Sequence, residues 1–372
     1  MDYELAIEAA NTAMVALEAA ISADLDPEEG GIGWWNDQIG WRYSALIGDY
    51  LLSACSGVCA SLADASLAIE KHTETEFSDN HWVRDGFARA ATSGRGLAEL
   101  ARGAKQRERV RLLELYRERS LGSLATTLDR LAAIAAGVAG VKIDLLTIGW
   151  ASLRRLIDTE QQRLELGKAV KKPLRVPFCD VGTAGRERQD ALFDVVFGWQ
   201  DFGPTDWLPW LLQARHTDAH RAPLSEWMVV FGTRAFPRGE GWTRPFWRQP
   251  AWSDTESLIK FGSLKEVDGL LIVEHPNDVL RGLRESTVQL TKAIAEAALD
   301  LWLARRADPA LIVQDGGAWA EIAKAEPLAF PGYGGPKLNV VGNELHISPE
   351  GGRRLRATRV MDADRGKWTS TS

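Results

Sequence analysis

The chain has 372 residues, is 45% hydrophobic and 26% charged, and carries a formal charge of −7. That balance belongs to an ordinary globular protein and excludes a disordered tail, a collagen-like fibre and a disulfide-stapled miniprotein. The acidic total argues against a generic nucleic-acid coat but leaves room for a local basic site.

Tryptophan is in excess, 15 against 5 tyrosines, and seven of the 15 fall between Trp199 and Trp252. That stretch reads either as a large core or as a surface that meets something. Cys55, Cys59 and Cys179 make no disulfide framework. Cys55 and Cys59, one helical turn apart in an apolar run, read as small buried side chains. The N-terminus, MDYELAIEAA, holds three acids in its first eight residues and lacks the basic start of a signal peptide. The longest unbroken apolar stretch, Leu131 to Val141, is shorter than a bilayer span. The expectation is a cytoplasmic protein with no membrane partner.

In chain order, Leu5, Ala9, Ala13, Leu17 and Ile21 recur at helical spacing, and Asp26-Pro27 with Gly30-Gly31 then break the chain. Further helices are expected from Trp41 to about Ile69, near His81–Ala104, over 105–138 and over 143–170. Leu124, Leu128, Leu131, Ala135 and Val138 make a heptad-like apolar stripe. Pro173, Pro177, Gly182 and Gly185 mark a connecting loop, and helical patterning returns over 187–199 and 205–222. The stretch of about 223–275, rich in Trp and Pro, suggests short strands at Trp227–Phe231 and Leu270–Val273. Asp278 to Arg306 reads as an amphipathic helix with Asn277 or Asp278 as its cap. Leu338–Val341, Gly342-Asn343 and Glu344–Ile347 have the pattern of a β-hairpin, to which Arg353–Val360 adds a third strand. The expected fold is mainly α: an antiparallel up-and-down helical bundle over 1–307, with an insertion at about 223–275 and a small β-containing extension over 308–372.

Of six histidines, His72, His81, His275 and His346 stand apart from other chemistry-bearing groups. The remaining two lie in Arg215-His216-Thr217-Asp218-Ala219-His220-Arg221, after the apolar run Trp207-Leu208-Pro209-Trp210. Three readings of this cluster stand side by side. His216 and His220 have a spacing that binds zinc, although Thr217 stands where a metalloprotease carries its glutamate. Arg215 and His220 together can cleave RNA without metal, the guanidinium on the phosphate and the imidazole moving protons. The third reading is a polar helix end with local ion pairs.

The string Arg215-His216-Thr217-Asp218-Ala219-His220 resembles the R-x4-6-H signature of the HEPN superfamily, in which the residue after the Arg is usually Asn, Asp or His. The resemblance implies a dimeric helical bundle and a metal-independent endoribonuclease of toxin–antitoxin or anti-phage defence. It implies no cofactor, Arg215 and His220 as the catalytic pair, and a supporting role for His216. Asp218 joins the candidates by proximity. A homodimer, an RNA substrate and an antitoxin or defence-system partner are the expected partners.

Arg221, Arg244, Trp247 and Arg248 are the candidate RNA contacts, since Arg and aromatic side chains together stack unpaired bases. The same interleaving of Arg with Trp builds a protein interface or a core with a charged rim. The other function is then a non-enzymatic helical scaffold, or a partner-binding subunit docking through the Trp-rich stretch. Seven basic residues between Arg102 and Arg119 read as a track for an RNA backbone or as a solvated helix face laced with ion pairs.

Overall fold

A computed structural model gives the fold, and it describes residues 3–26, 31–93, 103–141, 143–166, 178–220, 229–230, 242–263, 269–313, 334–335 and 349–358. The protein is mainly α. Its described helices are α1 (Glu8–Asp24), α2 (Gly33–Ile39), α3 (Trp41–Ser93), α4 (Ala104–Val138), α5 (Trp150–Leu166), α6 (Ala184–Phe197), α7 (Trp207–His220), α8 (Asp254–Ser263), α9 (Pro276–Ala307) and α10 (Pro349–Ala357). Two short strands, β1 (Val229–Val230) and β2 (Trp242–Thr243), pair antiparallel. The expected hairpin at 338–347 lies outside the described residues.

The chain forms two compact units, each assembled from three stretches. The first takes Met1–Ala13, Gly57–Asp129 and Val195–Ala293, the second Met14–Ser56, Arg130–Asp194 and Ile294–Ser372.

In the first unit, α3 buries a stripe at Val58, Leu62, Ala65, Ile69, His72, Glu76, Asp79 and Val83. The spacing alternates between four and three residues, as a core-facing helix requires. Each of its buried aliphatic side chains contributes about 1.5–3 kcal/mol of transfer free energy. The separation expected between a helix ending near Ile69 and another starting near His81 is absent, and α3 runs on to Ser93. Residues 70–80 contain neither Gly nor Pro, so the backbone has no reason to stop. The stripe instead continues in polar residues. Thr73, Thr75 and Ser78 donate to carbonyls four residues back, and Lys71 pairs with Glu74 at 2.7 Å. Inside the stripe, the hydroxyls of Ser61 and Thr127 meet at 2.8 Å.

The same unit holds α8, which the Pro- and Trp-rich character of 223–275 conceals. Its start is a capping box: Ser253 Oγ accepts from the Glu256 N–H at 3.2 Å, and Glu256 Oε2 accepts from the Ser253 N–H at 2.9 Å. Helix α9 begins two residues earlier than expected. His275 Nδ1 accepts from the Asn277 N–H at 3.2 Å and Pro276 takes the first helical position, which suits its fixed φ and missing N–H. The cap is therefore His275, and Asn277 turns inward.

The second unit centres on tryptophans far from the Trp-rich stretch in sequence. Trp34, Trp35 and Trp302 meet with ring centroids 5.4–5.6 Å apart. The Arg305 guanidinium lies 5.7 Å from the Trp34 ring and 5.2 Å from the Trp35 ring, and donates to the Val138 carbonyl at 2.7 Å. Trp302 Nε1 donates to Asp24 at 2.6 Å, and Arg306 pairs with the same carboxylate at 3.1 Å. Burial lowers the Arg305 pKa to about 10, which leaves it charged at neutral pH.

Residues 353–357, expected as a strand, belong to α10. Arg353-Arg354-Leu355-Arg356-Ala357 consists of strong helix formers. Arg353 reaches Asp26 at 3.1 Å, and Arg354 pairs with Asp49. Gly31, at φ +68°, lets α10 approach: a Cβ there would stand 2.8 Å from the Ala357 carbonyl oxygen.

Stretches within Leu5–Asp24, Tyr43–Ala90 and Ala104–Val138 are long and apolar enough to cross a bilayer by length and composition. The unbroken run considered in the sequence misses them because isolated polar residues interrupt it without lowering the average far.

Candidate functional site

Two features of the first unit gather chemistry-bearing side chains. One is built on the polar end of the α3 stripe. His72, Glu76 and Asp79 lie on one face of α3 and meet residues from two other segments. Glu76 accepts from Thr243 Oγ1 at 3.1 Å and from Asn277 Nδ2 at 2.6 Å, and His275 Nε2 stands 3.7 Å away. His72 Nδ1 shares a hydrogen bond with Asn277 Oδ1 at 2.7 Å. Arg244 donates to Asp79 at 2.8 Å, with its side chain only 12% exposed.

Burial raises the Glu76 pKa from an ordinary 4.5 to about 7, against its bonds from Thr243 and Asn277 and the Arg244 charge. Burial also lowers His72 from 6.5 to about 4, helped by the charges of Arg117, His275 and Arg244. The ionised form is the costly one for each group in this dry setting. The space beside His72, Glu76 and Arg244 is about 10 Å³, room for one water at most. The cluster therefore ties α3, the 242–244 segment and the start of α9 together and admits no substrate.

The other feature is a cleft of about 610 Å³ between α7, the 248–249 turn, residues 272–274 and the first turns of α9. Trp207, Trp210, Ile272, Val279 and Leu283 make its apolar wall. Both indole N–H groups are used inward: Trp207 donates to the Trp199 carbonyl at 3.0 Å and Trp210 to the Trp247 carbonyl at 2.9 Å. The rings thus offer the cleft carbon and π surface, Trp210 being half-buried and Trp207 nearly buried. Among the described residues, three carboxylates, Asp206, Glu274 and Asp278, line it beside one guanidinium, Arg248. Arg248 is fixed by Nε to the Leu271 carbonyl at 2.9 Å. The floor is set by backbone bonds from Arg248 N–H to Leu270 O at 2.9 Å and from Ile272 N–H to Phe246 O at 2.8 Å.

The residues singled out in the sequence fall as follows. Arg215 is half-exposed and His216 exposed on the last turns of α7, while Thr217 between them and His220 is buried and donates to the Pro250 carbonyl at 2.9 Å. Asp218 and His220 continue the helical backbone, and their side chains lie outside the described residues, as does all of Arg221. Arg244 belongs to the buried cluster, Trp247 is half-buried, and Arg248 is exposed at the cleft. Along the basic run, Arg109 donates to the Ser78 carbonyl, Arg111 pairs with Glu114, and Arg119 pairs with Asp64. Among the described residues no three His, Cys, Asp or Glu side chains gather as metal ligands.

His72 and His275, which stand apart in the sequence, share the Glu76–Asn277 network. The signal for His72 was present: His72, Glu76 and Asp79 keep the register of the apolar stripe. Nothing local in the sequence signals the contribution of residues 275–277, some 200 positions away. No family model matches the chain, and neither a curated protein nor a solved structure does.

Proposed function

We propose that the chain is a HEPN-type, metal-independent endoribonuclease of a toxin–antitoxin or anti-phage defence system. In this reading it is a cytoplasmic homodimer on an up-and-down helical bundle, with the hairpin of 338–347 as an appendage. The observation that carries the reading is the motif's position: Arg215 and His220 close one continuous helix, with Arg215 half-exposed and His216 exposed. Five residues of α-helix turn the second position about 140° from the first. Positions 215 and 220 of one copy therefore fall on different sides of α7, and two copies meeting along α7 would bring position 215 of one toward position 220 of the other.

In the reaction, the ribose 2′-oxygen attacks phosphorus and the 5′-oxygen leaves. His220 takes the 2′-OH proton or delivers one to the leaving oxygen, and Arg215 stabilises the charge on the phosphorane. The products are a 2′,3′-cyclic phosphate and a 5′-hydroxyl. His216 and Asp218 support the pair. Exposed Arg248 and half-buried Trp247 would guide RNA together with Arg221, while Arg244, engaged with Asp79, would brace the segment that carries them.

The test is cleavage of total RNA in EDTA. The His220→Ala and Arg215→Ala variants are each expected to lose activity by about 10²–10⁴-fold, and a mixture of the two to regain part of it through mixed dimers. Equal cleavage by wild type and His220→Ala, or none by wild type, sinks the reading.

The cleft favours a second reading, a non-enzymatic scaffold or partner-binding subunit that docks through the Trp-rich stretch. It expects His220→Ala to be silent, and changes at Trp242 and Trp247 to abolish capture of the partner.

A further inference from the structure

We propose that the cleft between α7 and α9 is a binding site for a small amphipathic organic cation, a protonated amine or guanidinium carried on an apolar body. The inference does not rest on the ribonuclease reading, which stands or falls on Arg215 and His220.

Size comes first. About 610 Å³ lies within the range of small-molecule sites, and a mostly apolar wall with a few polar groups is the usual composition of such sites. Wall chemistry comes second. Because the Trp207 and Trp210 N–H groups are bound to the carbonyls of Trp199 and Trp247, neither indole presents a donor to the cleft. What remains is aromatic surface, which attracts a cation and accepts an apolar chain equally well.

Charge decides the class. Asp206, Glu274 and Asp278 face one guanidinium, Arg248. Asp206 precedes α7 and Asp278 lies in the first turn of α9, so each offsets part of a helix end worth about half a unit charge. Glu274 starts neither helix, so among the described lining residues the carboxylates outnumber Arg248 and the two helix ends together. A phosphate or carboxylate entering here meets net repulsion. A neutral apolar ligand strips water from carboxylates and gives nothing back. A cation with an apolar body satisfies the wall and the rim together.

Gly282 lies in the interior of α9 and lines the cleft, and a Cβ built on it would meet nothing within 4 Å. The backbone does not need glycine there, and any side chain at 282 would occupy the cleft.

The experiment uses the full chain and three matched probes: phenethylamine (protonated), 2-phenylethanol (neutral) and phenylacetate (anionic), titrated by calorimetry and tryptophan fluorescence. Phenethylamine is expected to bind at least about tenfold more tightly than the alcohol, with phenylacetate weakest and affinity falling as salt rises. Asp206→Asn with Glu274→Gln should erase the preference for the amine. Gly282→Leu, compatible with the helix, should abolish binding while circular dichroism and the thermal midpoint hold. The proposal is overturned by equal binding of the three probes, by no binding of any at millimolar concentration, or by full binding to Gly282→Leu. Preference for adenosine monophosphate over phenethylamine would also overturn it and assign the cleft to RNA.

Discussion

The tryptophans of the two units solve the same chemical problem in opposite ways. In the second unit, Trp302 gives its N–H to the Asp24 carboxylate, and Arg305 lies over Trp34 and Trp35. In the first, Trp207 and Trp210 give theirs to backbone carbonyls. A carboxylate partner buried beneath an indole needs a cation, here Arg306, and the aromatic group closes around its charges. A carbonyl partner needs nothing further, so the ring is fixed, and Trp210, unlike the nearly buried Trp207, keeps part of its face available. Trp35 and Trp302 are fully buried, and Trp210 is not. A tryptophan excess in composition thus covers two different uses of the side chain, a closed cage and an open wall.

The largest expected effect comes from breaking the cage. Trp302→Ala removes two ring contacts, to Trp34 and Trp35, and leaves the Asp24 carboxylate without its indole donor. Loss of about 3–5 kcal/mol is expected, the usual range for a large aromatic truncated in a core. Trp210→Ala, at the half-open wall, is expected to cost about 1–2 kcal/mol, since less apolar area leaves solvent contact on folding. Urea unfolding of both variants measures the difference. Equal losses would mean that the wall of the cleft is core like the cage.

The buried polar cluster of the first unit makes the next prediction, in pH. Glu76 is raised to about 7 from 4.5, so its contribution to stability is full below pH 4.5 and is lost as pH rises through 7. His72 is lowered to about 4 from 6.5, so its contribution is full above pH 6.5 and is lost as pH falls through 4. Each swing is about 3 kcal/mol, and between pH 4.5 and 6.5 they oppose each other. Wild-type stability should therefore change little from this pair across that window and decline only from 6.5 to 7. Glu76→Gln leaves the His72 limb, giving stability that rises from pH 4 to 6.5 and is then level. His72→Gln leaves the Glu76 limb, which falls from pH 4.5 to 7. Chemical denaturation at a series of pH values reads both slopes, and parallel profiles for the two variants would contradict the opposed shifts.

That cluster also marks the limit of what the sequence makes legible. The mainly α class, the extent of α4 and α9 and the start of α7 follow from apolar periodicity, because packing acts on positions 3.6 residues apart. The continuity of α3 does not, since the stripe carries on as His72, Glu76 and Asp79 and an apolar count sees it end. Helix α8 is announced by Ser253 and Glu256, a local signal outweighed by the Pro and Trp around it. The cleft is not legible at all. Its walls come from α7, the 248–249 turn, residues 272–274 and α9, and only folding brings them together. For Arg215 and His220 the sequence shows the spacing and the helix that carries both positions, and an interface between two copies is something that no local pattern encodes.

The smallest expected effect sets one substitution against itself. Gly282 lies inside α9 and Gly137 in the last turn of α4, and in a helix interior replacing Gly by Ala in open space stabilises by about 0.5–1 kcal/mol. At Gly282 a new Cβ meets nothing within 4 Å, so Gly282→Ala should gain close to that amount. At Gly137 the Cβ would stand 2.8 Å from Leu51 Cδ2 and 3.3 Å from Leu145 Cδ1, two side chains that are themselves fully buried and have little room to give. Val138, the next residue, accepts the Arg305 hydrogen bond, so a shift of α4 to relieve the clash also loosens the cage. Gly137→Ala should therefore lose about 1–3 kcal/mol, the common cost of overpacking. Opposite signs for the same change, read from urea midpoints, would confirm that the cage is filled and the cleft is not. A gain at both positions would show that the second unit has slack, and a loss at both would place an unexpected neighbour over Gly282.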